Sequence, residues 1–576
     1  MKAITRKLYD VKIPTRDGIR LSADLFIPLG EGRFPAIFNM TPYGTVPDSE
    51  TLLAAAESYT LRGYVYVAVD VRGRYDSEGE WYAHPAAERH DGCDVLDWIA
   101  VQSWSNGKVA TVGHSYSGWT QWPIAQECHP HHVAMASSGS PTNLFQDWPN
   151  IDGVLSLQPI VTWALGMMPG RGNEAEVPAP ELSWKEALWH LPLSELDALM
   201  AGRNVPYWQD WLAHDTLDDF WMALQMQGKY GRIQIPTFNV SGWYDARLKG
   251  QVAAYLEVMK TTKDRSSHFL VIGPWLHSPV GRAPAFAMRD FGPQGNLDVE
   301  KIRCDWLDHV VQGKQKPELE GVLYFLQVAN EWRQASAWPL ENTRFVKHYL
   351  DSNGSANTLH GDGRLRTDRA GVGPADAYTY DPDDPVPTNW SPTRADGILS
   401  TEPIDSRPVQ ERQDVLVYST TPLAEHTEVT GPVTATIYFS TDVVDTDITV
   451  KLLDIDSQGV AFQLTHGIAR ACFRNSYTRK ELLTSGEVYA VEVELQPTSN
   501  LFRKGHSIRI EVSSSNFPFY ARNLNRGENN STTTERRPAH TRILHSDEHP
   551  SHIVLPVVPV AVPAGWRSEV ASGLTR

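Results

Sequence analysis

Four apolar segments in the first quarter of the chain restrict its fold more than any other feature of the sequence. They comprise residues 36–40, 64–69, 109–112 and 132–136, and none contains Asp, Glu, Lys or Arg. Strands buried on both faces of a parallel sheet have such unbroken apolar runs. Helix-like stretches separate the segments, for example residues 89–101, which place Val95 and Ile99 on one face. The sequence therefore predicts a mostly parallel α/β sheet, preceded by an antiparallel hairpin at residues 9–27.

The chain is too long for one core, because 576 residues exceed the roughly 250 to 300 at which a single core stops growing. After residue 140 the sequence becomes aromatic-rich and helix-prone, and the sheet pattern returns near residue 237. Beyond residue 345 short strand-like runs alternate with Gly and Pro turns, which is typical of a β-sandwich or jelly roll. We predict an α/β core at residues 1–140 and 234–345, a helical cap at 141–233 and a β jelly roll at 346–576.

A serine flanked by glycines follows the third apolar segment, in the sequence Gly-His-Ser-Tyr-Ser-Gly at residues 113–118. This is the nucleophile-elbow pattern, in which a sharp turn between strand and helix holds an exposed serine. Glycines two residues away on either side leave room for the strained turn. The motif predicts Ser115 as a nucleophile for acyl transfer. The alternative is an ordinary serine in a glycine-rich turn, with no general base elsewhere in the chain.

A nucleophilic serine requires an imidazole base and a carboxylate that orients the imidazole. Asp245 follows the apolar run that ends at Val240, and His277 follows the run that ends at Ile272. Open α/β sheets place their chemistry beyond the carboxyl ends of the strands. Taken singly, Asp245 could cap a helix and His277 could lie in a surface loop. Their order after Ser115 and their places at strand ends favour a triad.

The oxyanion of a tetrahedral intermediate requires hydrogen-bond donors. The elbow offers the backbone N–H of Tyr116, the residue after the serine. Tyr43 lies on the loop after the first apolar segment, and its hydroxyl is the candidate second donor. A tyrosine at the edge of the core is the alternative reading of that position.

These motifs and several others occur together in one order. They are found at residues 41–43, 70–74, 77–80, 113–116, 242–245, 273–277, 445–447, 513–518, 522–523 and 549–556. On these residues the chain resembles the cocaine esterase group of α/β-hydrolases (the CocE/NonD family), which is similar to X-prolyl dipeptidyl aminopeptidases and α-amino-acid ester hydrolases. The resemblance implies Ser115 as nucleophile, His277 as base and Asp245 as acid. It also implies an oxyanion hole formed by the Tyr43 hydroxyl and the Tyr116 N–H, and the three-domain organisation given above.

The resemblance implies a substrate pocket as well, with Trp148 and Trp163 at the cap positions that line the acyl site. Two residues after the acid the family pattern has an aromatic residue, whereas this chain has Arg247. In the α-amino-acid ester hydrolases this segment carries acidic residues that bind the substrate ammonium, which a cation would repel. Arg247 therefore predicts neutral or carboxylate-bearing acyl groups. An arginine turned into a surface ion pair is the alternative.

The predicted function is a serine hydrolase that cleaves carboxylic esters with neutral, aromatic or acidic acyl groups through an acyl-enzyme. An amidase, acylase or X-prolyl dipeptidyl peptidase on the same triad is the first alternative. The second is a non-catalytic glycan-binding protein that acts through the jelly roll, with a vestigial hydrolase core.

The charge and composition of the chain disfavour several classes of binding partner. The chain has 69 acidic and 52 basic residues, a net charge of −17, which disfavours nucleic acid and anionic membranes. Its four cysteines form no C-x-x-C pair, and the histidine-rich residues 129–132 and 545–552 lack a metal-binding pattern. We expect no metal or cofactor, a small-molecule ester as partner, and a cytoplasmic protein unless a leader was removed. A homodimer is left open.

Overall fold

A computed structural model describes residues 5–45, 50–83, 86–168, 179–369, 373–389 and 402–559. Residues 169–178 of the predicted cap, and residues 370–372, 390–401 and 560–576 of the predicted jelly roll, lie outside this set. None of the helices in the described ranges is long and apolar enough to cross a bilayer.

The first part of the chain builds one sheet. Its strands, with a short hairpin (β7 and β8), are β1 (Thr5–Pro14), β2 (Arg20–Pro28), β3 (Phe34–Thr41), β4 (Val65–Asp70), β5 (Ser105–His114), β6 (His132–Ser138), β7 (Asn150–Ile151), β8 (Val154–Leu155), β9 (Thr237–Tyr244), β10 (Phe269–Leu276), β11 (Val322–Leu326) and β12 (Glu331–Ala335). The sheet has the order β1-β2-β4-β3-β5-β6-β9-β10-β11-β12. The run from β4 to β11 is parallel, and antiparallel pairs flank it at both edges. The predicted parallel α/β sheet and its leading hairpin are confirmed.

Helices cover this sheet and fill the segment between β6 and β9. In the described ranges they are α1 (Glu50–Thr60), α2 (Ala86–Ala100), α3 (Tyr116–Trp119), α4 (Gln121–Ala125), α5 (Leu157–Val161), α6 (Trp184–Trp189), α7 (Leu196–Ala201), α8 (Pro206–Ala213), α9 (Asp219–Leu224), α10 (Leu248–Thr261) and α11 (Val299–Gln312). A further short helix, α12 (Arg407–Gln410), lies in the second half of the chain. A π-helix (Thr162–Met167) continues α5. The apolar strands pack between two helical layers, with Val67 and Val95 in one core cluster and Val240 and Trp306 in the other.

The second half of the chain is rich in β-strands. They are β13 (Arg344–Asp351), β14 (Arg364–Arg366), β15 (Asp376–Tyr380), β16 (Leu416–Ser419), β17 (Thr427–Thr441), β18 (Asp447–Ile455), β19 (Ala461–Arg470), β20 (Tyr489–Phe502), β21 (Ser507–Ser513), β22 (Ala539–Leu544) and β23 (His552–Val558). They pair almost entirely antiparallel around a core that includes Ile437, Val450 and Val512. The predicted C-terminal β domain is confirmed.

The β domain is attached to the core by polar contacts close to the sheet's carboxyl edge. Lys249 of α10 bonds Asp152 at 2.7 Å and Glu494 of β20 at 2.9 Å. The backbone N–H of Gln158 donates to the carbonyl of Pro518 at 3.0 Å. These contacts bring β20 and the segment after β21 close to the edge at which β5, β9 and β10 end.

Candidate active site

The turn between β5 and α3 holds Ser115 in a strained conformation. Its φ is 59° and its ψ is −124°, a backbone region that is costly for residues other than glycine. A Cβ at Gly113 would lie 2.2 Å from the carbonyl oxygen of Ser117, and one at Gly118 would lie 2.9 Å from that of Ser138. The Ser115 N–H donates to the Ser138 carbonyl at 2.9 Å and fixes the turn. The glycines are therefore required by close backbone approach.

The three strand-end residues predicted from the sequence come together in space. Nε2 of His277 lies 2.9 Å from Oγ of Ser115, and Nδ1 of the same ring lies 3.0 Å from Oδ1 of Asp245. Asp245 is 1% exposed, and its Oδ1 also accepts the backbone N–H of Arg247 at 3.0 Å. Burial raises the pKa of Asp245, but the charge and hydrogen bond of His277 outweigh it and hold the pKa well below its ordinary value. The carboxylate therefore stays ionised beside the imidazole.

A second histidine, which the sequence reasoning passed over, packs beside this group. His114 precedes the serine, and its ring centroid lies 4.6 Å from that of His277. Its Nδ1 lies 3.1 Å from Oγ of Ser138. Burial and the neighbouring His277 lower the pKa of His114 to about 3, so His114 supports the His277 ring without adding charge. Its place inside the Gly-x-Ser-x-Gly motif was the only signal for it in the sequence.

Two candidate oxyanion donors lie near Ser115. Tyr116 is the first residue of α3, so its N–H has no partner within that helix. Tyr43 lines the same cavity as Ser115, and its hydroxyl oxygen accepts the indole N–H of Trp163 at 3.3 Å. Asp70 holds the Tyr43 loop by accepting the backbone N–H of Thr45 at 2.8 Å.

A cavity of about 570 Å³ opens above Ser115. The core contributes Tyr43, His114, Ser115, Trp243, Tyr244, Ala246, Arg247, Leu276, His277 and Ser278, the helical segment contributes Gln158, Pro159, Thr162, Trp163 and Met167, and the second half of the chain contributes Pro403, Gln463, Leu464, Thr465, His466, Gln496 and Phe519. All three parts of the chain therefore enclose the candidate active site.

Comparison with known proteins places these features in a family. The model for X-Pro dipeptidyl-peptidase (S15 family) matches residues 17–279, and the model for the X-Pro dipeptidyl-peptidase C-terminal non-catalytic domain matches residues 313–554. Cocaine esterase of Rhodococcus sp. (strain MB1 Bresler) is 34% identical over 579 residues, which cover 95% of this chain and 98% of that protein. The chain belongs to the cocaine esterase family. It is a serine ester hydrolase with an α/β-hydrolase core and a C-terminal β domain.

Solved structures superpose on this cocaine esterase family member over nearly its whole length. An aminopeptidase from a marine sediment Thaumarchaeota archaeon superposes with a TM-score of 0.84 at 25% identity, covering 97% of each chain. An α-amino acid ester hydrolase superposes with a TM-score of 0.82 at 26% identity, covering 96% of this chain and 97% of its own. Both the core and the β domain are thus shared with these proteins.

Two of the predicted pocket residues line the cavity of this cocaine esterase family member, and the third lies behind them. Trp163 and Arg247 line the cavity, whereas Trp148 is absent from its described lining. The Trp148 ring instead packs edge-on against Trp163, with centroids 4.8 Å apart. The Arg247 guanidinium carbon lies 6.0 Å from the centroid of the Trp148 ring. Trp148 therefore supports the wall that Trp163 forms.

Part of the esterase cavity comes from residues that the sequence reasoning did not find. Gln463, Thr465 and His466 are buried polar residues of β19, and Gln496 lies on the adjacent β20. Nothing in a single sequence distinguishes them from other polar strand residues. The one available signal is the match of the C-terminal motifs to the family.

A buried glutamate contacts Tyr116, the residue that follows Ser115. The Tyr116 hydroxyl donates to Oε1 of Glu88 at 2.6 Å, and Glu88 is 1% exposed. Burial raises the pKa of Glu88 from 4.5 to about 8, although the Tyr116 hydroxyl acts in the opposite direction. Glu88 thus holds the side chain of Tyr116.

We expect the unfolding free energy of Glu88→Gln to decrease less between pH 5 and pH 8 than that of the parent protein. The native state binds the Glu88 proton more tightly than the unfolded chain, so this group's contribution to stability falls as pH rises through that window. Glutamine keeps an acceptor for Tyr116 and removes the titration. By linkage the decrease in unfolding free energy from pH 5 to pH 8 should shrink by on the order of 3 kcal/mol, measured by urea unfolding. An identical pH dependence in Glu88→Gln and in the exposed control Glu57→Gln would contradict the pKa assignment.

Proposed function

We propose that this protein hydrolyses carboxylic esters through an acyl-enzyme formed on Ser115. The observation that carries the proposal is the pair of contacts made by His277, 2.9 Å to the Ser115 oxygen and 3.0 Å to the Asp245 carboxylate. Nucleophile, base and orienting acid in this order and geometry constitute the arrangement used for acyl transfer. The strained, partly buried Ser115, at a strand end and beside the cavity, fits the same role.

The first half of the proposed reaction acylates the serine. Oγ of Ser115 bonds to the ester carbonyl carbon while its proton passes to Nε2 of His277, and Asp245 stabilises the resulting imidazolium. The carbonyl oxygen becomes an oxyanion that accepts hydrogen bonds from the Tyr116 N–H and the Tyr43 hydroxyl. Because the Tyr43 oxygen accepts from Trp163, its own proton remains for donation. The intermediate then collapses, and the leaving alkoxide takes the proton from His277.

The second half returns the enzyme to its starting state. Water attacks the acyl-enzyme carbonyl and gives its proton to Nε2 of His277, so that a second oxyanion forms in the same place. Collapse of this intermediate breaks the bond to Oγ, which recovers the proton from His277, and the carboxylic acid leaves. The cycle uses the side chains named above, the Tyr116 backbone N–H and one water.

The cavity supports small substrates with neutral, aromatic or acidic acyl groups. A volume of about 570 Å³ is within the range of small-molecule sites. Trp163 and Phe519 offer apolar rings, and Arg247 offers a cation. Among the described lining residues there is no aspartate or glutamate to bind a free ammonium, which disfavours substrates with a free amino terminus. Esters of neutral or acidic acyl groups are therefore favoured over aminoacyl esters and dipeptidyl substrates.

The glycan-binding alternative finds less support. The β domain has a wider groove of about 980 Å³ that contains none of the triad residues and is lined largely by polar and charged side chains such as Arg412, Asp442 and Arg542. Its tyrosine ring, Tyr378, is only 5% exposed. A sugar would find little aromatic surface on which to stack there.

A fluorophosphonate probe tests the nucleophile directly. We expect one probe to attach to Ser115, detected by intact mass and by mass spectrometry of the peptide that contains it, because the activated oxygen attacks phosphorus as it attacks a carbonyl. Ser278→Ala is the matched control, since Ser278 lines the same cavity and its loss should leave labelling unchanged. Labelling of another residue, or no labelling, would overturn the proposal.

A further inference from the structure

The wall of the active-site cavity has an unbalanced charge. Its described lining contains one permanently charged side chain, Arg247, and no carboxylate. Asp245 lies behind the wall, 1% exposed and bonded to His277. A ligand inside the cavity therefore meets a positive charge that no acidic side chain of the lining neutralises.

Arg247 is held by its backbone, which leaves its side chain facing the cavity. It directly precedes α10, and its N–H is bonded to Asp245. In the described part of the chain its guanidinium forms no ion pair within 4.0 Å; its carbon lies 6.0 Å from the Trp148 ring, and the charges of Asp245 and Asp147 act on it from further away. A guanidinium that is partly withdrawn from water without a directly bonded carboxylate gains from binding an anion. Arg247 is thus not the surface ion pair considered as the alternative in the sequence.

Two amides from the β domain line the same cavity. Gln463 on β19 is 4% exposed, and the side-chain oxygens of Gln463 and Gln496 have no hydrogen-bond partner among the described residues. The side-chain nitrogen of each amide carries two N–H donors. A ligand in the cavity that accepts hydrogen bonds from these N–H groups gains from them.

The neighbouring polar groups do not compete for this role. The Thr465 hydroxyl donates to the carbonyl of Gln496 at 2.8 Å. Nδ1 of His466 lies 3.0 Å from the Tyr520 hydroxyl, and burial lowers the pKa of His466 to about 3, so it is neutral. On the β-domain side of the cavity, Gln463 and Gln496 therefore remain as hydrogen-bond donors beside Arg247.

We infer that Arg247, Gln463 and Gln496 form a carboxylate-binding subsite, and that the enzyme's preferred substrates are esters that carry a free carboxylate. The guanidinium supplies charge and two parallel N–H donors, which match the two oxygens of a carboxylate. The amides of the β domain supply further donors. The substrate class rests on the proposed ester hydrolysis, whereas the binding of a carboxylate does not. A carboxylate on the acyl part or on the alcohol part has the same chemistry, and the experiment separates them.

Matched esters test the preference. The acyl arm compares kcat/KM for the p-nitrophenyl monoester of glutaric acid with kcat/KM for p-nitrophenyl valerate. The alcohol arm compares 4-acetoxybenzoate with phenyl acetate. In at least one arm we expect the carboxylate to be preferred, and Arg247→Gln to reduce that preference by about 10- to 100-fold, the effect of losing a charged hydrogen bond. Gln463→Leu should reduce it by about 5-fold. Arg265→Gln, which removes an exposed positive charge elsewhere, should leave the ratio unchanged.

Binding without turnover separates the subsite from the chemistry. Calorimetry with glutarate is done on the Ser115→Ala protein and on Ser115→Ala with Arg247→Gln, and we expect binding that weakens by about 10-fold or more without Arg247. If no ester is hydrolysed but glutarate binds through Arg247, the proposed function fails and the subsite stands. Ester ratios that do not respond to Arg247→Gln in either arm, or glutarate binding that ignores Arg247, would overturn the subsite.

Discussion

Replacement of Ser115 by alanine is expected to lower kcat for a p-nitrophenyl ester by about 10⁴- to 10⁶-fold, because no other group can form the covalent bond to the acyl carbon. KM should change much less, since the cavity that binds the substrate remains. The φ of 59° at this position costs about the same for alanine as for serine, because both carry a Cβ. The substitution should therefore leave the fold intact. Steady-state release of p-nitrophenol, followed over hours for the variant, measures the effect.

The residual rate is the informative part of that experiment. Hydrolysis in Ser115→Ala that stays above the uncatalysed rate would reflect oxyanion donors acting on a direct attack by water. Circular dichroism and the unfolding midpoint confirm that the variant is folded. Turnover within 10-fold of the parent protein would exclude Ser115 as the nucleophile, whatever the cause of the remaining activity.

Tyr43→Phe is expected to lower kcat by about 10²- to 10³-fold, which is the usual effect of removing one oxyanion donor. The hydroxyl acts on the oxyanion that appears in the transition state, so kcat should fall more than KM changes. The ring itself remains, and Trp163 loses only the acceptor for its indole N–H. Acylation rates measured by stopped flow with a p-nitrophenyl ester report the effect.

Tyr244→Phe provides the control for Tyr43→Phe. Tyr244 lines the same cavity, but its hydroxyl donates to Gln327 at 2.5 Å and is already engaged. Its removal should change kcat by no more than a few fold. An equal loss in both variants would mean that the effect comes from the cavity as a whole and would remove Tyr43 from the proposed oxyanion hole.

The core sheet and the strand-end positions of Ser115, Asp245 and His277 could be predicted from the sequence because both depend on local patterns. Unbroken apolar runs identify strands that are buried on both faces, and the chemistry of such sheets lies where those strands end. Ser115, Asp245 and His277 each follow a strand end directly. The glycines at 113 and 118 are informative for a similarly local reason, since backbone atoms approach them too closely for a side chain.

The pocket could not be predicted in the same way, because its walls depend on contacts between distant parts of the chain. Gln463 and Gln496 lie more than 300 residues after Ser115 in the sequence, and the approach of two domains brings them into one cavity. The order of Trp163 in front and Trp148 behind depends on how the π-helix packs against the segment before β7. Periodicity indicates which face of an element is buried, but it does not indicate which domain buries it.

The shared wall of the cavity also determines how this enzyme can be divided. A fragment that ends at residue 345 would retain Ser115, Asp245 and His277 but lose Gln463, Gln496 and Phe519, and would open Ser115 to bulk water on that side. It would also leave Lys249 without its Glu494 partner. Grafting the corresponding domain of a relative onto this core should therefore alter which esters are accepted while Ser115, Asp245 and His277 are left unchanged.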